Sequence, residues 1–121
     1  MKIMVVEDHA PMRSLIRNAL RLPDAEIIEC ASGPEAVARY PETHPDWVTM
    51  DCRMEPMDGI TATSLLRSLH PEARIVIVTS WDDPSLRLAA RAAGAEEYLL
   101  KEHLHLLAEI VRRPLSPPRT A

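Results

Sequence analysis

Short apolar runs alternate with segments of helical periodicity along the chain, and this alternation limits the fold more than any other feature. The runs that predict strands are residues 2–6, 25–31, 46–50, 73–80 and 96–100. The segments that predict helices are residues 10–21, 33–40, 59–70, 82–95 and about 103–113. Strands separated by helices need crossover connections, so they pair in parallel and are covered on both faces. The sequence therefore predicts an α/β fold with a doubly wound, five-stranded parallel sheet and five helices.

Proline and glycine mark several predicted helix ends. Pro11 and Pro84 suit the first turn of a helix, where a missing backbone N–H is tolerated. Pro41 is expected to break the second helix, and Gly94 is expected to end the fourth. The apolar face predicted for the last helix consists of Leu104, Leu107, Ala108 and Val111.

The length and composition are those of one ordinary globular domain. The chain has 121 residues, of which 46% are hydrophobic and 26% are charged. Its net charge of −4 gives no general reason to expect binding to nucleic acid or a membrane. No apolar run approaches the roughly 20 residues of a membrane span, and the N-terminal run is too short for a signal peptide. We therefore expect a cytoplasmic protein with Cys30 and Cys52 as small buried thiols.

Polar residues stand where four of the five predicted strands end. They are Glu7 and Asp8 after the first strand, Asp51 after the third, Thr79 and Ser80 at the end of the fourth, and Lys101 after the fifth. Ligands of open parallel sheets bind outside the carboxyl ends of the strands, so we expect these side chains to meet at one rim. Three carboxylates in one place repel each other unless a cation joins them or one is protonated.

The chemistry of this set favours a hard divalent cation. Oxygen ligands suit Mg²⁺, which takes few carboxylates and keeps several waters, and Mn²⁺ is the second candidate. A carboxylate can attack a phosphoryl group, and that transfer mainly needs neutralised charge and good positioning. Asp51 is the candidate nucleophile, Glu7 and Asp8 are the other metal anchors, and Lys101 is the counter-charge.

The sequence resembles the receiver domains of two-component response regulators. The matching stretches are VVEDH (5–9), MDCRMEPMDG (50–59), VIVTS (76–80) and YLLKE (98–102). Each stretch is short, but they occur in the family's order and each lies at the end of the appropriate strand. The resemblance implies the flavodoxin-like strand order 2-1-3-4-5 and a receiver domain over residues 1–113, followed by a Pro-rich flexible tail over residues 114–121. We expect a receiver without an attached output domain.

The resemblance also implies roles for single residues. Asp51 would accept a phosphoryl group from a histidine kinase or a phosphotransfer protein. The implied Mg²⁺ ligands are Glu7, Asp8, Asp51 and the backbone carbonyl of Arg53. Thr79 would bond the new phosphoryl oxygens, and Tyr98 would turn inward. That change would repack the face of helix 4, strand 5 and helix 5, where a downstream protein partner binds.

Two positions depart from the family's usual prolines. Glu55 stands four residues after Asp51, and Pro56 comes one place later. Glu55 therefore either adds a carboxylate near the metal pocket or points to solvent. We favour the second interpretation. Glu102 follows Lys101 where the family usually has proline. We predict a trans peptide there, because a non-proline cis bond costs about 2.5–4 kcal/mol.

Arg53 and Trp81 occupy positions that vary in the family and tune the phosphoryl lifetime. Our hypothesis is that the charge of Arg53 and the bulk of Trp81 hinder the hydrolytic water, which would give a long-lived phospho-form. The alternative is that Trp81 simply lies flat on the surface.

Two other functions stay open at this stage. One is a phosphorylation-independent interaction module with the receiver fold. The presence of the complete set of acids, threonine and lysine argues against this function. The other is a small Mg²⁺-dependent phosphohydrolase with Asp51 as nucleophile, which would need a substrate cap that this chain has no room for. We expect a phospho-switch rather than an enzyme, with no bound nucleic acid or membrane, and a face that permits a homodimer without requiring one.

Overall fold

The sheet of the protein contains five parallel strands. In a computed structural model that describes residues 1–114, they are β1 Lys2–Val6, β2 Glu26–Cys30, β3 Trp47–Asp51, β4 Ile75–Thr79 and β5 Glu97–Leu100. Their order is β2-β1-β3-β4-β5, and every neighbouring pair is parallel. The predicted fold class and strand order are confirmed. Apart from its first residue, the tail predicted over residues 114–121 lies outside the described residues.

The burial of each strand follows its place in the sheet. Every residue of β3 and β4 is buried, and in β1 only Lys2 is exposed. The two edge strands are more polar, with Glu26 and Glu29 in β2 and Glu97 in β5. Continuous apolar runs suit strands that helices cover on both faces, whereas charged residues protect an open edge from pairing with another chain.

Five helices cover the two faces of the sheet. They are α1 Ala10–Ala19, α2 Gly33–Thr43, α3 Gly59–Leu69, α4 Pro84–Ala93 and α5 Leu107–Ile110. One core contains residues of α2, α3 and α4, and the core on the opposite face contains residues of α1 and α5. Alternate residues of each central strand point into these two cores; Val48 faces the first and Trp47 the second. Cys30 and Cys52 are buried free thiols, as predicted.

Local signals account for several helix ends. The side chains of Ser32, Asp58 and Asp83 cap the N-termini of α2, α3 and α4 by accepting a hydrogen bond from a backbone N–H two or three residues ahead. Each such cap stabilises its helix by about 1 kcal/mol. Gly94 ends α4 with a φ of 106°, a left-handed conformation that glycine adopts without strain.

The predicted break of α2 at Pro41 is wrong. The helix continues to Thr43, with Pro41 exposed inside its last turn. Proline removes a single backbone donor, and the end of the helix is held by other bonds. His44 N–H donates to the Tyr40 carbonyl (2.9 Å), and the Thr43 hydroxyl donates to the Arg39 carbonyl (2.9 Å).

The last helix also differs from the prediction. A 3₁₀ helix covers Lys101–Leu106, and only Leu107–Ile110 is α-helical, instead of one helix over about 103–113. His103 departs from helical geometry (φ −112°, ψ 28°), which separates the turns of this segment. The apolar face was predicted better than the helix type, because Leu107 and Val111 are buried as expected. Within residues 1–114, no helix is both long enough and apolar enough to cross a membrane.

Candidate functional site

Three carboxylates meet at the carboxyl ends of two adjacent strands. Glu7 and Asp8 directly follow β1, and Asp51 is the last residue of β3. One oxygen from each carboxylate lies within 4.8 Å of the other two. Glu7 and Asp51 are buried, with 1% and 6% of their surface exposed, whereas Asp8 is exposed and opens the cluster to solvent. The sequence prediction that these acids converge is confirmed.

Lys101 supplies the positive charge of the cluster. It follows β5, and its Nζ lies 2.9 Å from Glu7 Oε1 and 3.1 Å from Asp51 Oδ1. Burial acts to lower the pKa of Lys101, but its bonds to both carboxylates outweigh this and raise it above the usual value. The lysine is therefore charged at neutral pH and bridges the ends of β1 and β3. The peptide bond to Glu102 is trans, as predicted.

One ammonium does not compensate the buried acids fully. Burial raises the pKa of Glu7 from 4.5 to about 7, and the nearby charge of Asp51 adds to the increase. Burial likewise raises the pKa of Asp51, against the opposing effect of Lys101. At neutral pH the carboxylates thus hold their charge only at a cost in free energy.

A divalent cation fits this donor set. Glu7 Oε1 is buried and has no aligned hydrogen bond in spite of its ion pair with Lys101, while the second oxygen, Oε2, accepts from the His9 N–H (3.2 Å). Carboxylate oxygens are the ligands of hard ions such as Mg²⁺, and a cation would relieve the repulsion between the three acids. The three residues form the only His, Cys, Asp or Glu cluster of this kind within residues 1–114.

Thr79 and Tyr98 are linked through the backbone of Trp81. Thr79 is the last residue of β4 and is buried. Its Oγ1 accepts from the Trp81 N–H (3.2 Å), and the Tyr98 hydroxyl donates to the Trp81 carbonyl (2.5 Å). Tyr98 is half-buried, and this burial raises its pKa. Its ring is covered by the Arg87 guanidinium, whose Cζ lies 4.6 Å from the ring centroid.

Arg53 and Trp81 form a stacked pair across the loops that follow β3 and β4. Arg53 Cζ lies 4.2 Å from the centroid of the Trp81 ring, which is 50% exposed. Trp81 therefore lies against Arg53 rather than alone on the surface. Glu55 is exposed and outside the carboxylate group, in agreement with the solvent reading. It shares an open cavity of about 630 Å³ with Asp8 and Arg53.

Gly59 and Arg87 were not identified from the sequence as site residues. A Cβ on Gly59 would lie 1.8 Å from the Asp51 carbonyl oxygen, so the start of α3 packs directly on the end of β3. The glycine that ends the MDG stretch was a signal for this close approach. Arg87 is an exposed residue of α4 and had no signal, because its contact with Tyr98 depends on how α4 packs beside β5.

Comparison with known proteins agrees with this geometry. The family model of the response regulator receiver domain matches residues 3–112. The chemotaxis protein CheY of Bacillus subtilis (strain 168) is 37% identical over 83% of this chain and 84% of its own length. The response regulator VraR of Staphylococcus aureus is 36% identical over 83% of this chain, which corresponds to 49% of VraR. A LuxR-family two-component response regulator from Aurantimonas superposes with a TM-score of 0.82 at 35% identity, over 96% of this chain and 89% of that one.

The fold and the site are those of receiver domains, a class of protein whose members are phospho-switches. The chain belongs to the response regulator receiver domain family. Its acidic group at the ends of β1 and β3 is able to hold a metal ion.

Proposed function

We propose that Asp51 accepts a phosphoryl group from a histidine kinase or a phosphotransfer protein in the presence of Mg²⁺. The observation that carries this proposal is the contact of a buried Asp51 carboxylate with the Lys101 ammonium (3.1 Å), inside a cluster of three carboxylates. Burying a carboxylate costs free energy whether or not the site has a function, so a buried acid in this position supports a functional role. Asp51 lies at the carboxyl end of the sheet next to Asp8, which is exposed to solvent, so a phosphodonor would approach from that side.

The proposed metal ligands are Asp8, Asp51, Glu7 largely through water, and the backbone carbonyl of Arg53. The set offers oxygen atoms only, which is the preference of Mg²⁺ and Mn²⁺. When bound, the ion would neutralise the carboxylates and the oxygens of the incoming phosphoryl group.

In the proposed transfer, an Asp51 oxygen attacks phosphorus. The new P–O bond forms as the P–N bond to the donor histidine breaks, and the imidazole nitrogen keeps the electron pair. Lys101, which already contacts Asp51 Oδ1 at 3.1 Å, would hold the carboxylate in place and balance the charge of the phosphoryl oxygens.

The proposed output is a change in the surface formed by α4, β5 and α5. Thr79 would bond the phosphoryl oxygens, and Tyr98 would respond because the Trp81 backbone connects the two residues. A shallow groove of about 410 Å³ on α4 and β5 includes Tyr98, and Leu88 of α4 is 71% exposed. The groove and Leu88 lie on the surface where a protein partner, or a second copy of the chain, would bind.

We also propose a slow loss of the phosphoryl group. The charge of Arg53 and the bulk of Trp81, with Glu55 on the wall of the same cavity as Arg53, would hinder the approach of water to Asp51. The phospho-form is then expected to persist for minutes or longer. A lifetime of seconds in the purified protein contradicts this part of the proposal.

Intact-mass measurement with a small phosphodonor tests the function. Wild-type protein is expected to gain one phosphoryl group when Mg²⁺ is present and none after chelation. Asp51→Asn is expected to gain none. The matched control is Asp58→Asn, which changes an exposed acid in the same loop to a residue that also caps α3 well; it should be labelled like wild type.

The other outcomes separate the competing functions. An unlabelled wild-type protein would favour a phosphorylation-independent interaction module. Release of phosphate from phosphoesters over many turnovers, lost in Asp51→Asn, would favour a phosphohydrolase.

A further inference from the structure

Trp81 contacts three residues near the site: Arg53, Thr79 and Tyr98. Its ring stacks on Arg53, two residues after Asp51, with Cζ 4.2 Å from the ring centroid. Its backbone N–H donates to Thr79 Oγ1 (3.2 Å), and its carbonyl accepts from the Tyr98 hydroxyl (2.5 Å). A movement of the Trp81 backbone would therefore displace the carbonyl that accepts the hydrogen bond of the Tyr98 hydroxyl.

The Tyr98 side of this network is held more firmly than the Arg53 side. The guanidinium that covers the Tyr98 ring belongs to Arg87, and it is anchored by hydrogen bonds to Asp82 Oδ1 (3.1 and 3.2 Å). Arg53 is exposed and has no side-chain hydrogen bond or ion pair within residues 1–114. The contact between Arg53 and Trp81 is therefore the one that can change most easily.

Phosphorylation would change that contact through charge. A phosphoryl group carries about −1.5 to −2 charges at neutral pH. Arg53 is two residues from Asp51 in the sequence and lines the same cavity as Asp8 of the acid cluster, so the new charge would appear close to it. A charge-assisted hydrogen bond to phosphoryl oxygen is stronger than a cation–π contact at an exposed ring. The guanidinium is expected to leave the Trp81 ring.

We propose that Trp81 is a positioning residue that transmits the modification of Asp51 to Tyr98 through its stack with Arg53. The proposal rests on the function proposed above. In it, the charge on Asp51 withdraws Arg53 from the indole, and the freed residue shifts the carbonyl that holds the Tyr98 hydroxyl. This path adds to any movement of Thr79, and it belongs to side chains of this particular chain.

Nuclear magnetic resonance on the full chain tests the proposal. The probe is Mg²⁺ with beryllofluoride, a stable mimic of the phosphoryl group. Occupancy is read from the ¹⁹F signal of bound beryllofluoride, and the response from the indole N–H signals of the two tryptophans and the ring signals of Tyr98. Trp47 is 2% exposed and lies at the opposite end of β3, so it serves as an internal control.

In the wild type, the indole signal of Trp81 and the ring signals of Tyr98 are expected to shift on binding, and the signal of Trp47 is not. In Arg53→Gln, compared with the wild type at equal occupancy of the probe, the Trp81 shift is expected to be lost and the Tyr98 shift reduced; Arg53→Lys should restore part of both. Arg21→Gln, which removes the same charge from an exposed site after α1, should behave as wild type.

Two results overturn the proposal in distinguishable ways. A full Tyr98 shift in Arg53→Gln at equal occupancy refutes the path through Trp81 and leaves the proposed function intact. Absence of bound beryllofluoride in the wild type contradicts the proposed function, and the path through Trp81 fails with it.

Discussion

Glu7 links the chemistry of the site to the stability of the fold. Its pKa rises from 4.5 to about 7 in the folded protein because the carboxylate is buried. Between these two pH values the folded chain holds a proton that the unfolded chain has lost. The free energy of unfolding therefore falls as the pH rises through this range.

The stability of the metal-free protein should depend on pH through Glu7. Kept in a chelator, the protein should lose as much as about 3 kcal/mol of stability between pH 4.5 and 7 through Glu7, since each pKa unit corresponds to 1.36 kcal/mol. Urea unfolding as a function of pH measures this. Glu7→Gln should flatten that part of the profile, and an unchanged profile in this variant would show that other groups cause it.

At the scale of elements, the start of α3 is built onto the end of β3. Gly59→Ala should destabilise the protein by several kcal/mol, or prevent folding, because the Cβ would lie 1.8 Å from a backbone oxygen of Asp51 that cannot move aside. Thermal unfolding measures the effect. Gly33→Ala is the control: its nearest contacts are side-chain atoms of Ala62 and Met57 at 3.2 Å, so it should cost far less.

The centre of β3 contains a polar side chain whose replacement should stabilise the protein. The Thr49 hydroxyl is buried between Val5 and Val76 of the neighbouring strands and has no hydrogen-bond partner. Thr49→Val should raise the free energy of unfolding by about 1 kcal/mol, because the valine leaves no polar atom unpaired. Urea unfolding measures the change. Thr43→Val removes a hydroxyl that does donate, to the Arg39 carbonyl (2.9 Å), and should give no gain.

Elements differed in how far the sequence determined them. The apolar runs of β1 and β4 and the Asp83 and Gly94 ends of α4 were local signals, and they were sufficient. The 3₁₀ helix that begins at Lys101 could not be predicted, because its apolar pattern fits an α-helix equally well and packing beneath β5 decides its form. The predicted helix break at Pro41 was wrong for a related reason. Hydrogen bonds of neighbouring residues hold the end of α2, although proline has no backbone N–H to donate.

The site shows the same division at the scale of the whole molecule. The meeting of Glu7, Asp8, Asp51 and Lys101 followed from strand ends, given a strand order that came from family resemblance and not from the residues. The stack of Arg53 on Trp81 depends on how the loops after β3 and β4 lie relative to each other, and the spacing of residues in the sequence does not specify this.

Metal binding should stabilise the entire chain. The acid cluster exists only in the folded state, so an ion that binds it raises the free energy of unfolding, by about 2.7 kcal/mol at a hundred times the dissociation constant. Thermal unfolding with and without Mg²⁺ measures this increase. Asp8→Asn should remove most of it, while Asp24→Asn, an exposed acid between α1 and β2, should retain it. An equal increase in Asp8→Asn would place the ion elsewhere.

Chemical mapping of the modified residue tests the proposal that Asp51 is the phosphoacceptor. Protein treated with a phosphodonor and Mg²⁺ is reduced with borohydride, which converts an aspartyl phosphate to homoserine, and its peptides are sequenced by mass spectrometry. Homoserine is expected at position 51, with unchanged carboxylates at Glu7 and Asp8. Modification of another residue, or of none, would contradict the proposal.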